Sequence, residues 1–175
     1  MLKFRSLAPL LFVAMLSTMI ACQKETVKVL DFSTITYTDS LCNLVGDTAT
    51  ENWTYDNSWV TAEFNLLAFK PISTVVDTTL SKITVLPACP NPNYGQFTLR
   101  IKSTKRCKLK WVMVNRGLEI LAYSQQKIDS GQLTIPFDFS ANTAFDTASN
   151  YRMYYGFYNA IDSLYYKGHG NIRWQ

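Results

Sequence analysis

Apolar and polar residues alternate along most of the second half of the chain. The alternating runs lie at positions 96–102, 108–113, 118–123, 133–140 and 151–157, and a shorter run follows at 163–167. A two-residue period is what a β-strand produces when one face of its sheet is buried and the other faces water. Several short runs at hairpin spacing predict a mainly β protein built as an antiparallel β-sandwich.

Turn residues separate these runs. Gly117 in Asn115-Arg116-Gly117 is expected to take a positive φ and turn the chain. Pro136 lies inside the run at 133–140 and has no N–H to donate, so this run is predicted to be an edge strand.

The first half of the mature chain is less regular and is interpreted as an aromatic lead-in. Ser33 to Thr38 alternates Thr with bulkier residues and is predicted to be a strand. Trp53, Tyr55 and Trp59 occupy odd positions that would share one strand face. An aromatic platform for sugar rings is one interpretation. The favoured one is that these rings seal the lead-in onto the sandwich.

One short helix is predicted at 61–69. Phe64, Leu67 and Ala68 would form its apolar stripe, with Thr61 as the N-cap. Glu63 would lie in the first turn, where negative charge suits the helix dipole. Pro71 would end the helix, and short strands are expected at 72–76 and 82–86.

The first 21 residues are predicted to be a signal peptide. Lys3 and Arg5 precede an apolar segment at 7–20, which is short for a membrane span. Met19-Ile20-Ala21-Cys22 resembles the lipobox of bacterial lipoproteins. This resemblance implies that the Cys22 thiol carries a diacylglyceryl group and that palmitate-type chains anchor the protein. An ordinary secretory signal with an accidental cysteine is the alternative.

The residues after Cys22 bear on the location. Gln23-Lys24-Glu25 is similar to the surface-export signal of Bacteroidota lipoproteins, which implies the outer membrane and the cell surface. The alternative, which is equally favoured, is that these residues are polar and charged only because a tether beside a lipid anchor is exposed to water. The predicted organisation is a signal peptide at 1–21, a lipidated tether at 22–32, the lead-in with its helix at 33–86, and the sandwich domain at 87–175.

Three cysteines remain if Cys22 is acylated. Cys42, Cys89 and Cys107 allow one intramolecular disulfide with three pairings, which stay open at this stage. Cys89 and Cys107 flank one predicted strand, while burial as small apolar side chains is the alternative for all three. The sequence contains no C-x-x-C pair, so neither a zinc site nor a redox motif is predicted.

Basic residues are concentrated in one part of the chain. Positions 78–118 contain eight Lys or Arg and no Asp or Glu. If the runs at 96–102 and 108–113 form a hairpin, four cations share a polar face, namely Arg100, Lys102, Lys108 and Lys110. Such a face would suit lipopolysaccharide phosphates or an anionic polysaccharide. The favoured alternative is that lysines protect sheet edges against aggregation.

Composition excludes several functions. Charged residues make up 17% of the chain, which is too few for a disordered polyelectrolyte. Without Lys3 and Arg5 the mature chain has 15 basic and 13 acidic residues, and a net charge of +2 does not indicate nucleic acid. No dense carboxylate cluster is present, so neither calcium nor paired-acid hydrolysis is expected.

His169 is the only histidine, and it lies between Gly168 and Gly170. A catalytic base or a metal ligand is one interpretation, but either role needs further groups that the sequence does not place nearby. The favoured interpretation is a turn residue. No metal, no cofactor and no enzymatic activity are therefore predicted.

Residues 86 to about 174 resemble the C-terminal sorting domain of proteins exported by type IX secretion. That family begins with an aromatic-Pro-Asn-Pro segment followed by Gly-x-Phe. Here the matching residues are Cys89-Pro90-Asn91-Pro92 and Gly95-Gln96-Phe97, with Cys89 in place of the aromatic residue. Weaker matches are the turn at 115–120, Phe137-Asp138-Phe139-Ser140 and the Tyr-rich run at 151–155. The resemblance implies an immunoglobulin-like sandwich.

The chain departs from that family in two respects. Its end, at 166–175, is not the usual basic strand, and a lipobox is rarely combined with a cleaved sorting domain. These observations predict a lipid-anchored envelope protein that acts as a non-catalytic binding or accessory module. The alternatives are a type IX secretion-linked protein, whose C-terminal domain the export machinery recognises as a sorting signal, and a hydrolase that uses His169.

Overall fold

The computed structural model describes residues 30–46, 51–68, 82–159 and 162–175. These ranges contain one short helix, α1 (Thr61–Leu66), and eight strands. The strands are β1 (Thr54–Tyr55), β2 (Ile83–Cys89), β3 (Gln96–Ser103), β4 (Cys107–Val114), β5 (Ile120–Ile128), β6 (Gly131–Asp138), β7 (Asn150–Tyr158) and β8 (Leu164–Arg173). The predicted signal peptide, the Cys22 anchor and the strand at 72–76 lie outside the described residues.

The strands form two antiparallel sheets. One sheet has the order β1-β8-β7-β4-β5, and the other has the order β2-β3-β6. The inner faces pack on each other through apolar residues of both sheets, including Leu99, Trp111, Phe137 and Met153. The predicted antiparallel sandwich with one short helix is therefore confirmed.

The predicted hairpin between the second-half runs at 96–102 and 108–113 is wrong. These runs are β3 and β4, which are consecutive in the chain but lie in different sheets. β3 pairs with β2 and β6, whereas β4 pairs with β5 and β7. The alternating pattern shows which side chains are buried, but it does not say which strand lies alongside.

The predictions made from proline and glycine had different outcomes. β6 contains Pro136 and pairs only with β3, so the predicted edge strand is confirmed. In the turn after β4, Leu118 has the positive φ of 60°, and Gly117 does not. The reason lies in Asn115, whose Oδ1 accepts the N–H groups of Gly117 and Glu119 and so closes the turn around that conformation.

The predicted turn around His169 is also wrong. Gly168, His169 and Gly170 lie in the middle of β8. A Cβ atom on Gly168 would overlap the backbone oxygen of Thr54, and one on Gly170 would overlap the ring of Trp53. The glycines are therefore required by the close approach of β1 and Trp53, and not by a turn.

The lead-in is not a strand at 33–38, contrary to the prediction. Of that segment only Thr38 forms bridges, with Leu44 and Asn91. Side-chain amides take the place of a neighbouring strand: Asn52 and Asn171 donate to the Thr34 oxygen, and Asn91 donates to the Thr36 oxygen. These donors satisfy backbone groups that a sheet would otherwise pair.

Two of the three aromatic residues of the lead-in, Trp53 and Trp59, are buried but not on one face, and Tyr55 is exposed. Trp53 stacks on Tyr155 inside the sandwich, with 6.2 Å between ring centroids. Trp59 packs edge-on against Tyr154 on the outer face of the five-stranded sheet, at 5.2 Å. The two rings hold the lead-in against opposite faces of β7, so the sealing role is confirmed.

Helix α1 covers this outer face. Its N-cap is Val60 and not Thr61, and the Glu63 carboxylate accepts the Val60 N–H at 2.8 Å. Leu66 and Leu67 are buried, whereas Ala68 is exposed, so the apolar stripe differs from the predicted one. No helix within the described ranges has the length and apolar character that a membrane crossing needs.

A disulfide joins Cys42 of the lead-in to Cys89 of β2, while Cys107 is a buried free thiol. Strand β2 runs across the predicted domain boundary at Pro87. Both observations tie the lead-in and the sandwich together.

Candidate functional site

The four residues of the predicted basic face do not lie together. Arg100 and Lys102 are in β3, and Lys108 and Lys110 are in β4, so they belong to different sheets. All four alternate with core residues and therefore lie on the two opposite outer faces of the sandwich.

The two lysines of β4 have partners of their own. Lys108 forms an ion pair with Asp162 at 2.9 Å. Lys110 is buried, and its Nζ lies 4.8 Å from the centre of the Tyr158 ring. In the hairpin interpretation, one anionic ligand would have neutralised all four cations. In the structure, these contacts within the chain stabilise Lys108 and Lys110 instead.

A layer of buried polar side chains lies between α1 and the five-stranded sheet. We call it the polar layer, and its members are Glu63, Arg152, Tyr154, Lys167 and His169. Strand register brings its sheet residues together, because Tyr154 of β7 lies opposite His169 of β8. The sequence analysis places Glu63 in the first turn of a helix and His169 in a turn of the chain, and no local pattern indicates that they share one buried layer. The lead-in with α1 covers these positions.

Contacts across the polar layer connect the helix with the sheet. The Tyr154 hydroxyl donates to Glu63 at 2.9 Å. The Lys167 ammonium lies 4.8 Å from the ring centre of Trp59 and 4.6 Å from that of Phe64. Cation–π contacts of this kind are stronger away from water. The layer therefore holds α1 in one place.

Arg152 supports the irregular lead-in. Its Nε donates to the Asn171 side chain at 2.7 Å, and its Nη2 donates to the backbone oxygen of Asp31. The guanidinium also lies 4.5 Å from the centre of the Phe32 ring. All these partners belong to the folded chain, so these contacts explain the burial of Arg152 without an external ligand.

His169 lies beside a carboxylate. Its Nδ1 is 3.0 Å from Oδ2 of Asp56, and both side chains are about nine-tenths buried. The pKa of His169 is lowered from 6.5 to about 4, mainly by burial and also by the positive charge of Arg152. The negative charges of Asp56 and Glu63 raise the pKa, but their effect is smaller. A general base works best with a pKa near the operating pH, so this imidazole is poorly matched to catalysis at neutral pH.

We expect the lowered pKa of His169 to make stability depend on pH. The unfolded chain takes up the proton near pH 6.5, but the folded chain only near pH 4, so stability is lost as pH falls through this window. Between pH 7 and 5 the free energy of unfolding should fall by about 2 kcal/mol. Denaturant unfolding at pH 7, 6 and 5 would measure it.

The variant His169→Gln is the control for this prediction. Since His169 is the only histidine, the variant should lose the slope between pH 7 and 5, whatever its absolute stability. A wild-type protein with constant stability over this range, or a variant that keeps the slope, would contradict the prediction.

A separate polar cleft of about 430 Å³ opens at one end of the sandwich. We call it the end cleft. One wall is the turn Asn115-Arg116-Gly117. The other is formed by the loop before β7, which includes Asp146 and Ala148, and by Tyr151 at the start of β7. The volume lies within the usual range for small-molecule sites, and the mostly polar lining favours a polar ligand.

Both walls of the end cleft are held by internal hydrogen bonds. On one side Asn115 Nδ2 donates to Glu119 at 3.0 Å. On the other, the Tyr151 hydroxyl accepts the Asp146 N–H and donates to the Asp146 oxygen. Leu118 and Ala148 have positive φ values of 60° and 58°, next to and within the cleft. Non-glycine residues in this conformation are uncommon and often mark functional loops.

The end cleft presents two charges. Arg116 and Asp146 are exposed on opposite walls, and within the described part of the chain neither side chain forms an ion pair. A guanidinium binds a carboxylate through two parallel hydrogen bonds, and a carboxylate accepts sugar hydroxyls. The sequence analysis places Arg116 in a turn, and no local pattern indicates that this turn shares a cleft with Asp146.

Within the described ranges, no group of three or more His, Cys, Asp or Glu residues is arranged to hold a metal ion. No protein-family model matches this chain, and no curated protein matches it in sequence.

Proposed function

We propose that this protein is a lipid-anchored module of the outer membrane that binds an anionic glycan in the end cleft. The observation that carries the proposal is the polar cleft, held by internal hydrogen bonds, with the exposed guanidinium of Arg116 on one wall. Asp146 on the facing wall would accept hydroxyl groups of the same ligand.

A binding role accounts for more of the structure than a catalytic one does. The buried His169 and Asp56 contribute to the packing between the lead-in and the sheet. Burial also raises the pKa of the neighbouring Tyr154 hydroxyl, which makes it a poor nucleophile at neutral pH. At the end cleft, by contrast, the charged side chains of Arg116 and Asp146 are exposed.

The same structure favours a retained module over a cleaved sorting signal. Asn91 donates to the Thr36 oxygen and accepts the Arg173 N–H, so it links the lead-in to the last strand. The Cys42–Cys89 disulfide crosses the same boundary. A cut after Leu86 would leave the two parts joined.

The binding site can be tested with a galacturonate trisaccharide and titration calorimetry. Replacing Arg116 by Gln should weaken binding about 10-fold to 100-fold, because a hydrogen bond to a charged group contributes about 1.5–3 kcal/mol. A neutral galactose trisaccharide should bind more weakly than the uronate and should not respond to the substitution.

Arg106→Gln is the matched control. Arg106 is exposed and paired with Asp129, and it precedes β4 at the end opposite to Arg116. Equal losses in both variants would indicate a nonspecific charge effect and contradict the assignment of the cleft. The lipid anchor is tested separately by the intact mass of membrane-extracted protein, which should equal residues 22–175 plus two or three acyl chains.

A further inference from the structure

Exposed apolar side chains are concentrated in one loop of the lead-in. Of the nine large hydrophobic residues that are exposed within the described ranges, four lie between positions 37 and 45. We call this segment, Tyr37–Val45, the apolar loop. Leu41 at its tip is 80% exposed, and the other three are Tyr37, Leu44 and Val45. Contiguous exposure of this kind usually marks a contact surface.

The loop is held in a defined shape, so the exposure is built into the fold. The Val45 N–H donates to the Tyr37 oxygen at 3.0 Å, which closes the base of the loop. The Asp39 carboxylate accepts the N–H groups of Leu41 and Asn43 at 2.9 and 2.8 Å. The disulfide from Cys42 then fixes the tip to β2. Leu41 is consequently held on the outside.

Basic residues border the loop. The Arg100 guanidinium donates to the backbone oxygen of Cys42 at 3.2 Å. Lys102 is exposed two residues further along β3, on the same outer face of the three-stranded sheet. The carboxylate of Asp39 accepts hydrogen bonds from the loop itself. An apolar tip with a basic border matches the boundary between lipid headgroups and acyl chains.

The tether keeps this loop near a membrane. Seven residues lie between Cys22 and Leu30, the first described residue, and a fully extended chain from Cys22 to Leu30 spans about 30 Å. If Cys22 is acylated, the folded domain cannot move farther than that from the bilayer. A short tether makes a second, weak contact with the same surface effectively intramolecular.

We propose that the apolar loop inserts Leu41, Leu44 and Val45 into the interface of the membrane that holds the Cys22 lipid. Arg100 and Lys102 contact anionic headgroups beside it. The inference rests on the lipid anchor of the proposed function and adds a second contact, which orients the sandwich on the bilayer.

The test uses the acylated full-length protein with Leu41→Trp, reconstituted in vesicles of phosphatidylethanolamine and phosphatidylglycerol that contain brominated lipid. All four native tryptophans are buried, so the new indole dominates the exposed fluorescence. Insertion should shift its emission to the blue and quench it at least twofold. The matched control is Tyr123→Trp, an exposed position on β5 of the other sheet, which should not be quenched.

Each outcome decides the inference. Quenching of Trp at 41 but not at 123 supports it, and weaker quenching in vesicles of phosphatidylcholine alone supports the role of the cations. Equal quenching at both positions, or none at either, overturns it. A blue shift that occurs without lipid, but only at high protein concentration, would assign the loop to contact with a second copy of the chain. This result also overturns the inference.

Separate measurements would contradict the lipid-anchor proposal and the loop inference. The intact mass of the reconstituted protein reports the acyl chains independently of fluorescence. If acyl chains are absent, the anchor proposal fails, and the loop is then decided by the same quenching measurement at high vesicle concentration. If acyl chains are present and Trp at 41 is not quenched, the anchor stands and the loop inference fails.

Discussion

Replacing Cys42 and Cys89 together by serine should lower the free energy of unfolding by about 4 kcal/mol. The disulfide spans 47 residues of sequence, and a closed loop of this length restricts the unfolded chain by about that amount. Domains of this size have a total stability of about 5–15 kcal/mol. The variant should therefore unfold at a much lower denaturant concentration, which urea titration followed by tryptophan fluorescence would measure.

Reduction provides the control for this experiment. Dithiothreitol should bring the wild-type protein close to the stability of the double variant and leave the variant unchanged, since Cys107 is a free thiol already. A wild-type protein whose unfolding midpoint is insensitive to reductant would contradict the assigned pairing. The disulfide also holds the tip of the apolar loop, so reduction should weaken quenching of Trp at position 41 in vesicles.

Gly170→Ala should destabilise the protein by about 3 kcal/mol or more. The added Cβ would overlap the ring of Trp53, which is buried and stacked on Tyr155. The backbone cannot move away easily, because the Trp53 N–H donates to the His169 oxygen at 2.7 Å. Loss of a buried tryptophan from its site typically costs about 3–5 kcal/mol, which sets the scale of the effect.

Gly117→Ala is the matched substitution. Gly117 lies in an exposed turn without a positive φ, and its Cβ would meet only the Asn115 side chain, at 3.3 Å. We expect a change within about 0.5 kcal/mol there. Equal unfolding midpoints for Gly170→Ala and the wild-type protein in thermal or urea denaturation would show that the packing of Trp53 on β8 is not as described.

The apolar loop and the end cleft are two outward-facing features of the same sandwich. The polar layer and the asparagine contacts hold the lead-in on the five-stranded sheet, so the apolar loop has a fixed position relative to the sandwich. The end cleft lies between the β4–β5 turn and the loop before β7. Contact of the loop with the bilayer would give this cleft a defined orientation towards the envelope.

The sequence by itself determined the class of fold. Alternation at 96–102 reports burial of one face directly, because successive side chains of a strand point to opposite faces. The run at 151–157 is buried on both faces, which its alternation did not show. Pro136 identified an edge strand for an equally local reason, since a missing N–H cannot pair on two sides. The limit of one disulfide among the last three cysteines followed from counting alone.

Only the tertiary structure decided which parts meet. Three examples are the strands that pair with β3 and β4, the Cys42–Cys89 disulfide, and the cleft that Arg116 and Asp146 line together. Each joins residues that local patterns treat as independent. Gly168 and Gly170 were misread for the same reason: glycine fits a turn or a close approach equally well, and the ring of Trp53 lies more than a hundred residues away in the chain. Strand partners, disulfide pairs and the roles of these glycines depend on which distant surfaces bury each other. A two-residue period carries no information about such long-range contacts.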